Sequence, residues 1–231
     1  MLNIITVEGP SNTGKSTLLD QLEKTFKGKG ADVYRLSVSR LDDGLVDQLK
    51  ERVSKDDMQS VLDLKLAKEA TVKLIDEYRK TRAHSLLLEI ARLKHAQLRA
   101  VMASFEALER DSGLGNTYLL IDRTPLSTVI YGGLADTYLN FQKSLFNSGV
   151  ATHGVIRTLS TVSTYVNSFL TMSSPFIKDI RHEVIFLTSG QPYTVDATYS
   201  SESDEAFDKE SNSKHALFCH RYLNIASASS V

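Results

Sequence analysis

Residues 2–19 read "LNIITVEGPSNTGKSTLL", and this stretch decides the fold class. Residues 2–7 are apolar and rich in β-branched side chains, which predicts a buried strand of a parallel sheet. Residues 16–30 carry leucines and a phenylalanine at helical spacing, which predicts an amphipathic helix that ends at Gly28. A glycine-rich loop joins the two, so the chain begins with a strand, a tight loop and a helix.

The loop fits the pattern Gly9-x-x-x-x-Gly14-Lys15-Ser16. Glycines let the backbone fold tightly, so that its N–H groups and the helix N-terminus point at a phosphate. In this pattern the lysine reaches the β- and γ-phosphates and the hydroxyl holds Mg²⁺. We therefore expect the loop to bind a nucleoside triphosphate. The expected nucleotide-binding residues are Gly9, Ser11, Asn12, Thr13, Gly14, Lys15, Ser16 and Thr17.

The remainder of the chain alternates strands with helices. Further strands are predicted at residues 32–38, 117–122 and 183–189, and residues 43–110 are mostly amphipathic helix. This alternation predicts a three-layer α/β fold, with a mainly parallel sheet and helices on both faces.

We expect one domain over residues 1–231, although its second half departs from simple alternation. Residues 132–180 are predicted to form a helical insertion ahead of the fourth strand. An acidic, serine-rich segment at 188–208 is predicted to be a lid-like loop, and a closing helix is predicted over 206–226.

Composition narrows the function classes. The net charge is −1, so the chain has no general attraction to nucleic acid or to acidic membranes. Cys219 is the only cysteine, which excludes an intramolecular disulfide and suits a reducing compartment. No run approaches the roughly 18 apolar residues of a membrane helix. We expect a cytoplasmic enzyme with no membrane partner.

Two residues at the end of the third strand indicate transfer of a phosphoryl group to an acceptor rather than hydrolysis of the nucleotide. Asp122 ends a hydrophobic strand, a position that places a carboxylate beside bound Mg²⁺. Arg123 stands where motor-type ATPases usually carry a glutamate that polarises water, and an arginine suits a second phosphorylated group. The predicted catalytic residues are Lys15, Asp122 and Arg123, and the predicted metal ligands are Ser16 and Asp122.

Three segments, "EGPSNTGKST" (8–17), "LLLEIARLKH" (86–95) and "IDRTPLSTVIY" (121–131), together resemble the thymidylate kinase family of nucleoside monophosphate kinases. The family's third segment reads D-R-Y-x-x-S-x-x-x-Y, and Asp122, Arg123, Ser127 and Tyr131 stand at matching spacings. The resemblance implies a P-loop kinase fold, ATP and Mg²⁺ as cofactors, a small nucleotide acceptor and a homodimer.

The resemblance also implies an acceptor site. Arg123 would contact the acceptor phosphate, Arg92 the pyrimidine base, and Arg40 lies within about one residue of the family's acceptor-phosphate arginine. Leu88 occupies the position of the family's base-stacking aromatic. The implied substrate-binding residues are Arg40, Leu88, Arg92, Arg123, Ser127 and Tyr131.

The departures from the family leave alternatives open. Ser11 replaces an aspartate that touches the acceptor sugar, and residues 188–208 contain no Arg or Lys although the family's lid carries arginines in one subgroup. Arg157, Lys178 and Arg181 are candidates to supply the missing charge. The acceptor is then dTMP-like or a modified pyrimidine monophosphate, or a hydroxymethylpyrimidine in phage DNA (in the host cytoplasm if the source is viral). A non-catalytic nucleotide-binding protein derived from such a kinase is the third interpretation.

Overall fold

The computed structural model describes residues 1–11, 13–41, 44–83, 85–131, 174–188 and 217–220. These residues form an α/β fold around a four-stranded, all-parallel sheet with strand order β2-β3-β1-β4. The strands are β1 (Leu2–Glu8), β2 (Asp32–Ser37), β3 (Thr117–Asp122) and β4 (Ile180–Phe186). The α-helices are α1 (Lys15–Gly28), α2 (Leu45–Arg52), α3 (Met58–Thr81), α4 (Ser85–Asp111) and α5 (Pro125–Tyr131), with a short 3₁₀ helix at Lys55–Asp57.

The fourth strand begins earlier than predicted. It starts at Ile180, which pairs with Leu2, whereas the prediction placed its start at residue 183. The polar residues Arg181 and His182 do not fit the apolar pattern from which the strand was predicted, so its first residues were missed. They are tolerated because β4 is an edge strand of the described sheet, where polar residues can be exposed. The predicted helical insertion reached residue 180, but residues 174–179 contain no helix. Residues 132–173 of that insertion lie outside the described residues.

Strand register brings the functional segments to one edge of the sheet. Val7 of β1 is aligned with Asp122 of β3, and Glu8 of β1 is aligned with Phe186 of β4. In a parallel sheet the carboxyl ends of all strands meet at the same edge, where open α/β sheets bind ligands. The glycine-rich loop after β1 therefore lies directly beside the residues that follow β3.

Helix α1 covers one face of the sheet. Leu19 of α1 is fully buried against an apolar cluster that includes Val7 and Leu120. Near the end of the helix, Phe26 stacks on Tyr118 of β3 with ring centroids 3.9 Å apart. The apolar face that the spacing of leucines predicted is thus the face that packs on the sheet.

The opposite face is covered by α2, α3 and α4, which confirms a sheet with helices on both sides. Its core contains an edge-to-face pair, Tyr34 of β2 and Phe105 of α4, with centroids 5.1 Å apart. Alternate strand residues such as Leu119 and Leu120 belong to the two different cores, as expected for a sheet buried on both faces.

None of the helices in the described part of the chain is both long enough and apolar enough to cross a membrane.

Candidate active site

The glycine-rich loop has a backbone that only glycine allows. Gly9 has φ 148°, and a Cβ atom added there would lie 2.1 Å from the carbonyl oxygen of Leu187, just beyond β4. Gly14 has φ 81° and forms the N-cap of α1. Between them, the Thr13 hydroxyl donates to the carbonyl of Pro10 over 2.9 Å. The loop is therefore fixed by its own glycines and by contact with the end of the neighbouring strand.

We expect Gly9→Ala to lower the free energy of unfolding by about 2–3 kcal/mol and to abolish nucleotide binding, because the new methyl group overlaps a backbone carbonyl. Thermal unfolding and ADP titration calorimetry check this. Gly28→Ala is the matched control, since a Cβ atom there meets no neighbour and nucleotide affinity should stay unchanged. Wild-type affinity and stability in Gly9→Ala would contradict the loop's role.

Lys15, at the first position of α1, folds back over the loop. Its side chain is buried, and Nζ donates to the Pro10 carbonyl and to the Thr13 hydroxyl, the latter over 3.3 Å. Burial, and then the nearby Arg123 guanidinium, lower the pKa of Lys15 to about 7, while Asp122 and Glu8 oppose the shift. A phosphate brought to the loop would add the negative charge that favours the protonated amine.

The two predicted metal ligands line one cavity of about 320 Å³. Asp122 is only 9% exposed, and its Oδ1 has no hydrogen-bond partner among the described residues. The exposed Ser16 lies at the mouth of the same cavity, and so does Gln48 of α2, whose buried Oε1 is also without a partner in the described structure. Burying a carboxylate oxygen without a hydrogen-bond partner costs free energy, unless a cation or a hydrogen-bond donor binds that oxygen.

These oxygens suit Mg²⁺, which binds oxygen ligands through one or two carboxylates together with substrate phosphates. The described residues contain no cluster of three or more His, Cys, Asp or Glu that could hold a metal without such help. Ser16 and Asp122 fit a magnesium ion that arrives with a nucleotide, and Gln48 is a further oxygen that the sequence did not single out.

Arg123 joins the end of β3 to the loop. Its guanidinium donates to the carbonyl of Gly9 and to the hydroxyl of Ser11, both over 3.3 Å, and its backbone N–H donates to Val7 over 3.2 Å. Its φ of 65° lies in the left-handed region, which side-chain-bearing residues adopt mainly where surrounding structure enforces it. The next residue, Thr124, reinforces this turn by donating to the buried Glu8 carboxylate over 2.5 Å.

A second cavity, of about 180 Å³, lies on the other side of Arg123. It is enclosed by the loop, the turn after β2, and helices α3, α4 and α5. Its lining residues are Ser11, Ser39, Ile75, Tyr78, Arg79, Leu87, Ile90, Lys94, Arg123, Ser127 and Thr128. Helices α3 and α4 contribute both apolar residues and the cations Arg79 and Lys94 to this lining. We call it the acceptor cavity, because Arg123 and Ser127, which the resemblance assigns to the acceptor, line it.

No protein-family model matches this chain, and no curated protein is significantly similar to it. The residues at the carboxyl edge of the sheet are therefore what indicates a function.

The structure places the resemblance-derived residues in several different environments. Ser127 is buried and lines the acceptor cavity together with Arg123 and Ser11. Arg40 is exposed and lines the Asp122 cavity instead. Tyr131 ends α5, and its side chain lies outside the described residues, as does Asn12 of the loop.

Leu88 and Arg92 do not line the acceptor cavity. Arg92 is exposed and forms an ion pair with Glu89, one turn earlier on α4, over 2.5 Å. Leu87, Ile90 and Lys94 line the cavity in their place. Residues spaced by three and four lie on one helix face, so Leu87, Ile90 and Lys94 share the face of α4 that lines the cavity. The roles that the resemblance implies for Leu88 and Arg92 stay predictions.

Lys94 is the residue that sequence reasoning missed. It is 5% exposed, and its Nζ lies 3.5 Å from the Ser127 hydroxyl. Burial, and then Arg123, lower the pKa of Lys94 to about 8, against the opposing effects of Glu8 and Asp122. The sequence contained one signal for Lys94, because it continues the apolar stripe that Leu87 and Ile90 form on α4. Lysine is rarely buried on such a face without a partner.

Two of the cations proposed to replace the missing lid arginines are far from the site. Lys178 precedes β4, and Arg181 is aligned with Asn3 near the amino end of β1. At about 3.3 Å per residue, the strand from Asn3 to Gly9 separates Arg181 from the loop by about 20 Å, and Lys178 precedes the strand altogether. Arg157 and residues 189–208 of the predicted lid lie outside the described part of the chain.

Proposed function

We propose that this chain is a P-loop phosphotransferase that transfers the γ-phosphoryl group of Mg·ATP to a pyrimidine deoxynucleoside monophosphate. The observation that carries the proposal is the position of Arg123, which contacts the loop through Gly9 and Ser11 and also lines the acceptor cavity. One guanidinium thus borders both a phosphate-binding loop and a pocket, an arrangement suited to in-line transfer.

The loop and α1 would bind the donor. Loop N–H groups and the N-terminus of α1 would surround the β- and γ-phosphates, and Lys15 would turn from Pro10 towards them. Ser16 and Asp122 would hold Mg²⁺, which neutralises phosphate charge when bound. Asp122 would then gain a partner for Oδ1, the atom that has none among the described residues.

The acceptor cavity would bind the second substrate. Arg123 and Ser127 would orient its phosphate, and the apolar walls of Leu87, Ile90 and Ile75 would enclose the base. The resemblance to the thymidylate kinase family favours a pyrimidine as that base. The cavity's mouth at Ser11 would place the acceptor phosphate next to the donor.

The reaction requires little covalent chemistry from the protein. An oxygen of the acceptor phosphate attacks the γ-phosphorus, the bond between that phosphorus and the β–γ bridging oxygen breaks, and ADP and a nucleoside diphosphate result. Positioning and charge stabilisation by Lys15 and Arg123 would supply the rate enhancement.

A coupled ADP-release assay tests the proposal. The panel would contain the deoxynucleoside monophosphates, 5-hydroxymethyl-dUMP, plain DNA and hydroxymethyluracil-containing DNA. We expect turnover with one or more pyrimidine monophosphates. Turnover on modified DNA alone would replace the proposal with a DNA kinase, and tight ATP binding without turnover on any acceptor would replace it with a non-catalytic nucleotide-binding protein.

A further inference from the structure

Lys94 of α4 is a buried cation whose surroundings the mechanism above leaves unexplained. Its Nζ lies 3.5 Å from the Ser127 hydroxyl on α5, and it lines the acceptor cavity. The charges of Glu8 and Asp122 favour its protonated form, whereas burial and the Arg123 guanidinium oppose it and lower the pKa of Lys94 to about 8. Both carboxylates have other neighbours as well, since Glu8 accepts the Thr124 hydroxyl and Asp122 lines the other cavity.

The acceptor cavity has the charge of an anion site. Its described lining includes three cationic side chains, on Arg79, Lys94 and Arg123, and no carboxylate. Arg79 lies on α3, where it pairs with Asp76 over 3.4 Å, whereas Arg123 donates to Gly9 and Ser11 of the loop. Two like charges in a confined space are mutually unfavourable, and an anion placed between them would stabilise both.

Ser127 indicates where that anion would lie. Its hydroxyl hydrogen is donated to the Thr124 carbonyl over 2.8 Å, which leaves the oxygen directed to the Lys94 amine at 3.5 Å. The Arg123 guanidinium lines the same cavity and donates to Ser11 over 3.3 Å. Lys94, Ser127 and Arg123 thus contribute to the lining of one cavity from three different elements.

We infer that Lys94 and Arg123 together bind the acceptor's phosphate, and that this pair selects a phosphomonoester dianion over a neutral nucleoside. The inference rests on the proposed function and deepens it by adding Lys94 as a second cationic ligand of the acceptor's phosphate. Two cations match the two negative charges of a monoester, whereas a phosphodiester in DNA carries one charge and a nucleoside carries none. Lys94 would also supply part of the positive charge that residues 188–208 lack in their sequence.

Lys94→Met tests the inference, because methionine keeps most of the volume and removes the charge. In protein saturated with Mg·ADP, which occupies the loop, calorimetry would compare thymidine 5′-monophosphate with thymidine. We expect the variant to bind the monophosphate 10- to 100-fold more weakly and thymidine within about twofold of wild type. Lys73→Met, a change of an exposed lysine on α3, is the matched control and should alter neither affinity. An unchanged preference for the monophosphate in Lys94→Met would overturn the inference.

A second measurement tests the inference if Lys94→Met does not fold, or if the base of the natural acceptor is not thymine. In wild-type protein with Mg·ADP and lysine labelled at ¹³Cε, inorganic phosphate should shift the Lys94 resonance and leave that of Lys73 in place. No shift of the Lys94 resonance would overturn the inference. A phosphate-induced shift, combined with no ADP release on any pyrimidine monophosphate, would keep Lys94 as a phosphate ligand and reject the proposed kinase activity.

Discussion

Lys15→Ala is expected to reduce turnover by about 100- to 1,000-fold, because no other described side chain is placed in the loop to reach the donor's phosphates. The buried amine has its pKa lowered to about 7, so its removal takes away a desolvated charge and should not unfold the chain. The rate would be measured by coupled ADP release at saturating acceptor, and the fold by thermal unfolding.

The control for Lys15→Ala lies on the same helix. Lys27 is exposed and pairs with Glu23 over 2.7 Å, so Lys27→Ala should leave turnover within about twofold. ADP affinity should fall in Lys15→Ala and not in Lys27→Ala. A Lys15→Ala protein with near-wild-type turnover would reject the loop as a donor site.

Arg123→Ala is expected to lower kcat/KM for the acceptor by about 100- to 1,000-fold, since one side chain borders both the loop and the acceptor cavity. The affinity for ADP should change much less than in Lys15→Ala, because Arg123 contacts the loop from outside it, at the Gly9 carbonyl and the Ser11 hydroxyl. Steady-state kinetics with each substrate varied in turn would separate the two effects.

Arg123→Lys sharpens this prediction. A lysine keeps the charge but cannot reproduce the planar, multiply donating guanidinium, so we expect only partial recovery. Arg99→Ala, a change at an exposed position on α4, is the matched control and should behave as wild type. If Arg123→Ala and Arg99→Ala had the same acceptor kinetics, Arg123 would have no part in transfer.

The parts of the fold that sequence predicted well are local ones. A buried strand, a glycine-rich loop and an amphipathic helix each have their own short pattern, and β1, the loop and α1 lie where those patterns placed them. The position of Asp122 at the end of β3 was predicted for the same reason, because the end of a hydrophobic strand is visible in the sequence. The parallel pairing of β3 with β1 places Asp122 beside the loop that follows β1.

The parts that sequence missed depend on contacts between distant elements. Leu88 and Arg92 were taken from the family resemblance, but which face of α4 lines the acceptor cavity is set by the packing of that helix against α3 and α5. That packing brings Leu87, Ile90 and Lys94 to the cavity. The apolar stripe on α4 makes a lysine at position 94 unusual, but its contact with Ser127, which lies 33 residues further along the chain, depends on the fold.

The measurement that tests the central claim most directly follows the phosphoryl group itself. ATP labelled with ³²P at the γ-position would be incubated with wild-type protein, Mg²⁺ and thymidine 5′-monophosphate or another pyrimidine monophosphate that releases ADP in the panel, and the products would be separated. We predict label in the nucleoside diphosphate, in an amount equal to the ADP formed, and loss of that label in Lys15→Ala and Arg123→Ala. Label released only as inorganic phosphate, or retained in ATP with every pyrimidine monophosphate, would contradict the proposed transfer.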